Sequence, residues 1–449
     1  MKTVFATLLL GIACAFAGDL HAAPATIPAD PKLFLSADGL ALSWFPGRHM
    51  LTQTVHVDRT QGADPVSWTA VSDRPWLSVG ASGMTGGTLA IKANPKGLQR
   101  DRFYRATVTV STSESDFTDT ETLTVGLYVG SADPKNIEIA KQYVTHIAAN
   151  PVEPIVYVTD GGNSIREYNV YSGALITTLP NVAPAIGPLE VSSDGRTLFV
   201  ANMTAHSIVE LATDSGARIG AIPVGYAMDS LFTMAYARPF GQPALYASAV
   251  SGHQGSIFAV PSGTKLATGV AKGMIAVPPD GKQIFSVLQS IDPATLHHYS
   301  VDLTNGQLNI TNLGSRMTDG ENCQDLAVSR DGVHVYPACG APYFFEVFDA
   351  KTLSVVQTLP ANPYPRNVEI DAKNHVIGGI GSLLKPDILA FKQSGGSLGT
   401  VSTGAEDQQP GTLKVSGDTM RVILATRDPP SIPQTQTLMF LTLPSKLPD

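Results

Sequence analysis

A repeat constrains this sequence more than any other feature. From about residue 135 onward an apolar stretch, a tight turn and a second apolar stretch recur, each followed by two further apolar stretches around glycine. The turns fall at Pro151, Asp194-Gly195, Phe240-Gly241, Asp280-Gly281, Asp331-Gly332, Asn374 and Asp418, so successive spacings are 43, 46, 40, 51, 43 and 44 residues. A unit of four strands cannot bury its apolar faces alone. Units that recur every roughly 40–50 residues stack around an axis as the blades of a β-propeller. Seven such units fill residues 132–449, which predicts a seven-bladed ring. The last unit is one strand short, because only Arg421–Ala425 and Thr437–Leu441 follow Asp418. Asn136–Ala140, ahead of the first unit, is the expected missing strand, and its pairing would remove a free sheet edge.

Residues 24–131 read differently. Short alternating runs at Leu40–Trp44, Val66–Val71 and Thr88–Lys92, then longer ones at Tyr104–Val110 and Thr120–Val129, show period-two patterning without helical periodicity. Seven or eight strands in about 100 residues predict an immunoglobulin-like β-sandwich. The stretch Gly130–Pro134 reads as the linker between the two parts. The fold class expected for the whole chain is therefore all-β, an Ig-like sandwich followed by the propeller. Hydrophobic residues at 43% and charged residues at 15% suit a globular chain. The net charge of −8 argues against nucleic acid, whose phosphates call for a basic surface.

Met1-Lys2-Thr3 carries the positive charge that opens a secretory leader, and the apolar run Val4–Phe16 and small residues before Ala22 complete it. Residues 1–23 are read as a signal peptide, since the run is too short to span a bilayer. No later segment is long and apolar enough to span one either. The expected location is periplasmic or secreted. Removing the leader takes Cys14 and leaves Cys323 and Cys339, which flank the Asp331 turn symmetrically. On an antiparallel hairpin they would face one another within disulfide reach, and an oxidising compartment favours the bond. Two buried free thiols are the alternative.

The stretch Pro154–Asp160, followed by Asn163-Ser164-Ile165, resembles the YVTN repeat, with Asp160 where that motif carries its last Asn. Leu198–Asn202 is a weaker copy. The N-terminal region resembles a BACON domain, an Ig-like module often fused to exported bacterial enzymes and binding proteins. That resemblance rests on Trp68 through Trp76-Leu77-Ser78-Val79, on Leu89-Ala90-Ile91 and on Arg105–Val110. It implies carbohydrate binding at a cell surface. The YVTN resemblance implies architecture rather than a particular activity.

Chemistry-bearing motifs are few. Gly395-Gly396-Ser397-Leu398-Gly399 matches the nucleophile elbow in letters, but it falls where the repeat places an outer hairpin, and a glycine-rich hairpin turn accounts for it. His297 and His298 are adjacent on a strand and point to opposite faces. His146 and Arg366 fall in or just before innermost strands and are candidate channel ligands. Solvated channel side chains are the plainer reading. Asp319, Glu321, Glu406 and Asp407 are expected in loops at the channel mouth. There they would grip a divalent cation such as calcium, as in lactonase-like propellers, or stand as solvated acidic loops. Trp44 is the candidate exposed aromatic for stacking on a sugar, whereas Trp76 reads as core.

These readings predict an exported, non-catalytic binding or scaffold protein whose propeller is the recognition surface and whose partner is a protein or glycan in the periplasm or at the cell surface. It would need no cofactor. A metal-assisted lactonase-like hydrolase with its site at the channel mouth is the rival.

Overall fold

The computed structural model describes residues 31–60, 62, 64–114, 117–229, 232–249, 252–288, 293–381, 385–404, 407–427 and 436–444. The expected leader and Glu406 lie outside them. The described chain is all-β, and its sheets are mostly small and antiparallel.

Two sheets form the N-terminal part. One orders Leu33–Leu35, Thr52–Arg59, Gly87–Ala93 and Leu77–Val79. The other has six strands, with Phe117–Val129 between Gly39–Trp44, to which it is parallel, and Arg102–Glu114, to which it is antiparallel. Alternation decides which side chains go inside. In Gly87–Ala93 the buried residues are Leu89, Ile91 and Ala93, with exposed ones between them. The apolar faces of both sheets meet in one core that holds Trp68 and Trp76.

From residue 137 onward consecutive strands pair as antiparallel neighbours, sheet after sheet. Each turn of the sequence repeat joins the first two strands of a unit, and side chains close most of these turns. Ser192 Oγ donates to Asp194 Oδ1 (2.6 Å) and accepts from the Thr197 amide (2.9 Å). Ser329 with Asp331, and Ser416 with Asp418, repeat the arrangement. Asp371 alone serves the next unit by accepting from the Lys373 and His375 amides, both at 2.8 Å. The position after the turn aspartate is left-handed, at φ 74° for Gly195 and 68° for Gly332. Glycine meets that need without strain, and Asn374 and Thr419 occupy the same region at 64° and 61°.

The missing strand is supplied from the other end of the repeat region. Ile137–Ala140 pairs antiparallel with Gln436–Thr442, with Ile137 opposite Phe440. Side chains reinforce the junction between first and last sheets. The fully buried Arg421 donates from Nε to the Val170 carbonyl (3.0 Å) and from Nη2 to the Phe440 carbonyl (2.9 Å). The Tyr171 hydroxyl donates to Asp418 Oδ2 (2.6 Å), and its ring packs against Phe45 and Tyr128 of the N-terminal sheets. The N-terminal core therefore runs without a break into Val156, Val158, Ile423 and Phe440.

One element departs from the expected pattern. The segment 318–322 is not a loop but the interior of a 22-residue strand, Gln307–Val328. Its first part pairs with Pro293–Thr304 and its second with His334–Ala341, so two units share one seven-stranded sheet. The ladder to Pro293–Thr304 extends past two register shifts as far as Glu321, which leaves no break for a loop. In the same sheet Cys323 stands opposite Cys339, and their sulfurs are bonded at 1.95 Å. The glycine-rich match at 395–399 is the expected hairpin, joining Ile388–Phe391 to Ser397–Val401.

Two stability predictions follow from these contacts. Reduction of the disulfide, or its replacement by paired serines, should cost about 3 kcal/mol in urea unfolding, the loop-closure value for a loop of about 15 residues. Arg421→Met should cost about 3 kcal/mol or more, because it removes the buried guanidinium's hydrogen bonds to the Val170 and Phe440 carbonyls. An unfolding midpoint unchanged by Arg421→Met would show that these hydrogen bonds add nothing to the junction of the first and last sheets.

Candidate functional site

The first strand of each unit borders a common space. His146–Ala149, residues 188–191, Met234–Ala237, Met274–Ala276, the end of Gln307–Val328, residues 368–370 and Lys414–Val415 line one cavity of about 860 Å³, and Arg366 is not in its wall. Its floor comes from the N-terminal sheets, through Leu35–Leu40 and Gln53–His56. An ion-pair cluster ties that floor to the wall. Arg238 contacts Glu121 Oε2 at 2.8 Å and Asp38 Oδ2 at 3.7 Å, with all three side chains nearly buried.

Charged side chains interrupt the apolar wall. Lys414 Nζ donates to Glu369 Oε2 at 2.7 Å. Asp325 accepts from the Val368 amide at 3.0 Å and the Leu326 amide at 2.9 Å. Glu190 Oε1 accepts only a long bond of 3.4 Å from the Tyr236 amide. Loss of solvent raises both carboxyls, Glu190 to about 7 and Asp325 to about 6, against the pull of the Lys414 charge. Burial alone would lower the Lys414 ammonium, but Glu369, Asp325 and Glu190 together reverse that and hold it above its ordinary value. Near the floor, desolvation lowers the Arg330 guanidinium, while Asp371, Asp38 and Glu369 oppose the shift. The arrangement is a metabolite-sized chamber with both signs of charge on its wall.

The residues singled out from sequence are scattered. His146 lines the cavity, and burial pushes its imidazole down to about 4, so it is neutral at physiological pH. Arg366 and Asp407 are brought together as an ion pair at 2.6 Å, with Arg366 also donating to the Gln408 carbonyl. The pair occupies Asp407 Oδ2 and leaves Asp407 Oδ1 buried without a hydrogen-bond partner among the described residues. Asp319 and Glu321 are exposed on the long strand. Among the described residues no group of three or more His, Cys, Asp or Glu side chains is gathered closely enough to hold a metal ion. Trp44 is half-buried at its strand end and packs on the N-terminal core, with the Arg100 guanidinium 4.7 Å over its ring. His298 is buried against Phe285 and His297 points the other way from the same strand.

Sequence reasoning passed over Glu190, Asp325, Arg330, Glu369 and Lys414. A signal for three of them is present in the repeat. Leu189-Glu190-Val191, Val368-Glu369-Ile370 and Leu413-Lys414-Val415 each set one charge between two apolar residues, two positions before the side chain that caps the turn. A charge at a fixed place in an otherwise apolar innermost strand has to face a polar space.

No family model matches this chain, and no curated protein is similar to it. Among the described residues no helix is long and apolar enough to cross a membrane.

A pH prediction follows from the raised carboxyls. In the unfolded chain Glu190 and Asp325 titrate near 4.5 and 3.8, and in the fold near 7 and 6. Their contribution to stability is thus fully present below the unfolded values and is lost as pH rises through the folded ones. Glu190→Gln should melt close to the parent at pH 5 and above it at pH 8. An equal melting-temperature difference at both pH values would contradict the raised carboxyl.

Proposed function

We propose that this is an exported, non-catalytic binding protein, built as an Ig-like BACON-type sandwich docked on a seven-bladed YVTN-type propeller, and that the central channel is its recognition site. The carrying observation is the cavity of about 860 Å³ at which the innermost strands converge, with Glu190, Asp325 and Glu369 around Lys414. That volume is within the range of small-molecule sites, and a few convergent polar groups on an apolar wall fix a ligand's orientation. Seven hairpins at a near-constant spacing and a closing strand from the other terminus support the ring. In this reading the N-terminal part is the chamber's floor. Its candidate sugar reader, Trp44, already has a guanidinium on its ring.

A thermal-shift screen of the mature protein against small polar metabolites and short glycans tests the reading. A channel ligand at about 100 times its dissociation constant should stabilise by about 2.7 kcal/mol. Lys414→Met should abolish that shift, because the ammonium organises the three carboxylates. Ligands that bind Lys414→Met as tightly as the parent, or an absence of hits across the screen, would remove the channel as the site.

A further inference from the structure

The wall charges of the cavity are not balanced one against another. Among the described residues three cations line it: Arg238, Arg330 and Lys414. Arg238 is held by Glu121 and Asp38, and Lys414 by Glu369. Arg330 is different. Its backbone amide donates to Asn374 Oδ1 at 2.7 Å, but its guanidinium forms no ion pair and no hydrogen bond with any described residue. Arg330 is half-buried at the cavity, and a guanidinium without a protein acceptor is open to an anion, its planar fork of donors matching a carboxylate or phosphate oxygen pair.

The opposite imbalance occurs among the acids. Glu369 has Lys414, Asp38 has Arg238, and Asp371 has His375 Nδ1 at 2.8 Å. Glu190 and Asp325 line the same cavity and, among the described residues, accept hydrogen bonds only from backbone amides; the Lys414 charge acts on both but is in ion-pair contact with neither. The chamber thus holds a free guanidinium and, separately, two carboxylates without a cation in contact.

We propose that the channel binds a small zwitterion of short-peptide size, its carboxylate on Arg330 and its ammonium between Glu190 and Asp325. This rests on the channel being the recognition site and adds the class of ligand. A dianion is disfavoured, because Asp371, Asp38 and Glu369 surround the guanidinium at longer range. A neutral ligand would leave both sets of charges uncompensated. A ligand with one charge of each sign satisfies both without changing the net charge of the site.

Calorimetric titration of the mature protein with triglycine, N-acetyl-triglycine and triglycine amide separates the two ends. Triglycine should bind, and removing either terminal charge should weaken binding by roughly tenfold or more, as expected for a charge-assisted hydrogen bond. In Arg330→Gln the acid and the amide should bind alike, and in Glu190→Gln the penalty for N-acetylation should shrink. Arg330→Lys keeps the charge without the fork and should restore part of the preference for the acid. Because the Arg330 side chain forms no hydrogen bond with any described residue, Arg330→Gln and Arg330→Lys should keep the parent's fold, and Glu190→Gln is compared at pH 5, where it should melt with the parent; circular dichroism checks both. Equal binding of triglycine and its amide to the parent protein, or no heat from triglycine up to about 10 mM, overturns the proposal. A screened ligand that needs Lys414 but binds Arg330→Gln normally would overturn it too, while leaving the channel as the site.

Discussion

The pairing of Ile137–Ala140 with Gln436–Thr442 is the contact on which the rest of the repeat region depends. Among the described residues every other sheet of the repeat region is built from neighbours in sequence, whereas this one joins strands about 300 residues apart. Without it Gln436–Thr442 would present an open edge of the last sheet. Arg421, Tyr171 and Asp418 add buried hydrogen bonds across that junction, where an unmet donor or acceptor would be costly. The N-terminal sheets lean on the same place, through Phe45 and Tyr128 against Tyr171, so one continuous core serves both parts of the chain.

Convergence of the innermost strands creates the chamber, and the chamber creates its electrostatics. Glu190, Asp325 and Glu369 arrive from three different sheets and meet Lys414 from a fourth. Loss of solvent raises the two carboxyls against the pull of Lys414, and the three carboxylates together hold the ammonium charged despite its burial. The floor obeys the same rule. Arg238 reaches from the wall to Asp38 and Glu121, and the three share their burial rather than leaving any one charge alone.

Local pattern made much of the fold readable in advance. The period of the turns, the alternation within strands, the cysteines placed symmetrically about Asp331 and the spare strand at 136–140 are short-range features, and the structure places each as the pattern requires. The site was less readable. Arg366 and Asp407 looked like free channel groups but are partners across 41 residues, and Asp319 and Glu321 looked like loop residues but belong to a shared strand.

By itself the sequence determined the all-β class, the spacing of the turns, the turn chemistry and the placing of the two cysteines opposite one another, because each depends on residues close together in the chain. Only the tertiary structure decided which charges face a common space, which of them neutralise one another and which are left over. A side chain's partner in that space comes from a different sheet, at a separation of 41 to 46 residues or far more. Period and alternation say which face a residue takes. They do not say what stands across from it.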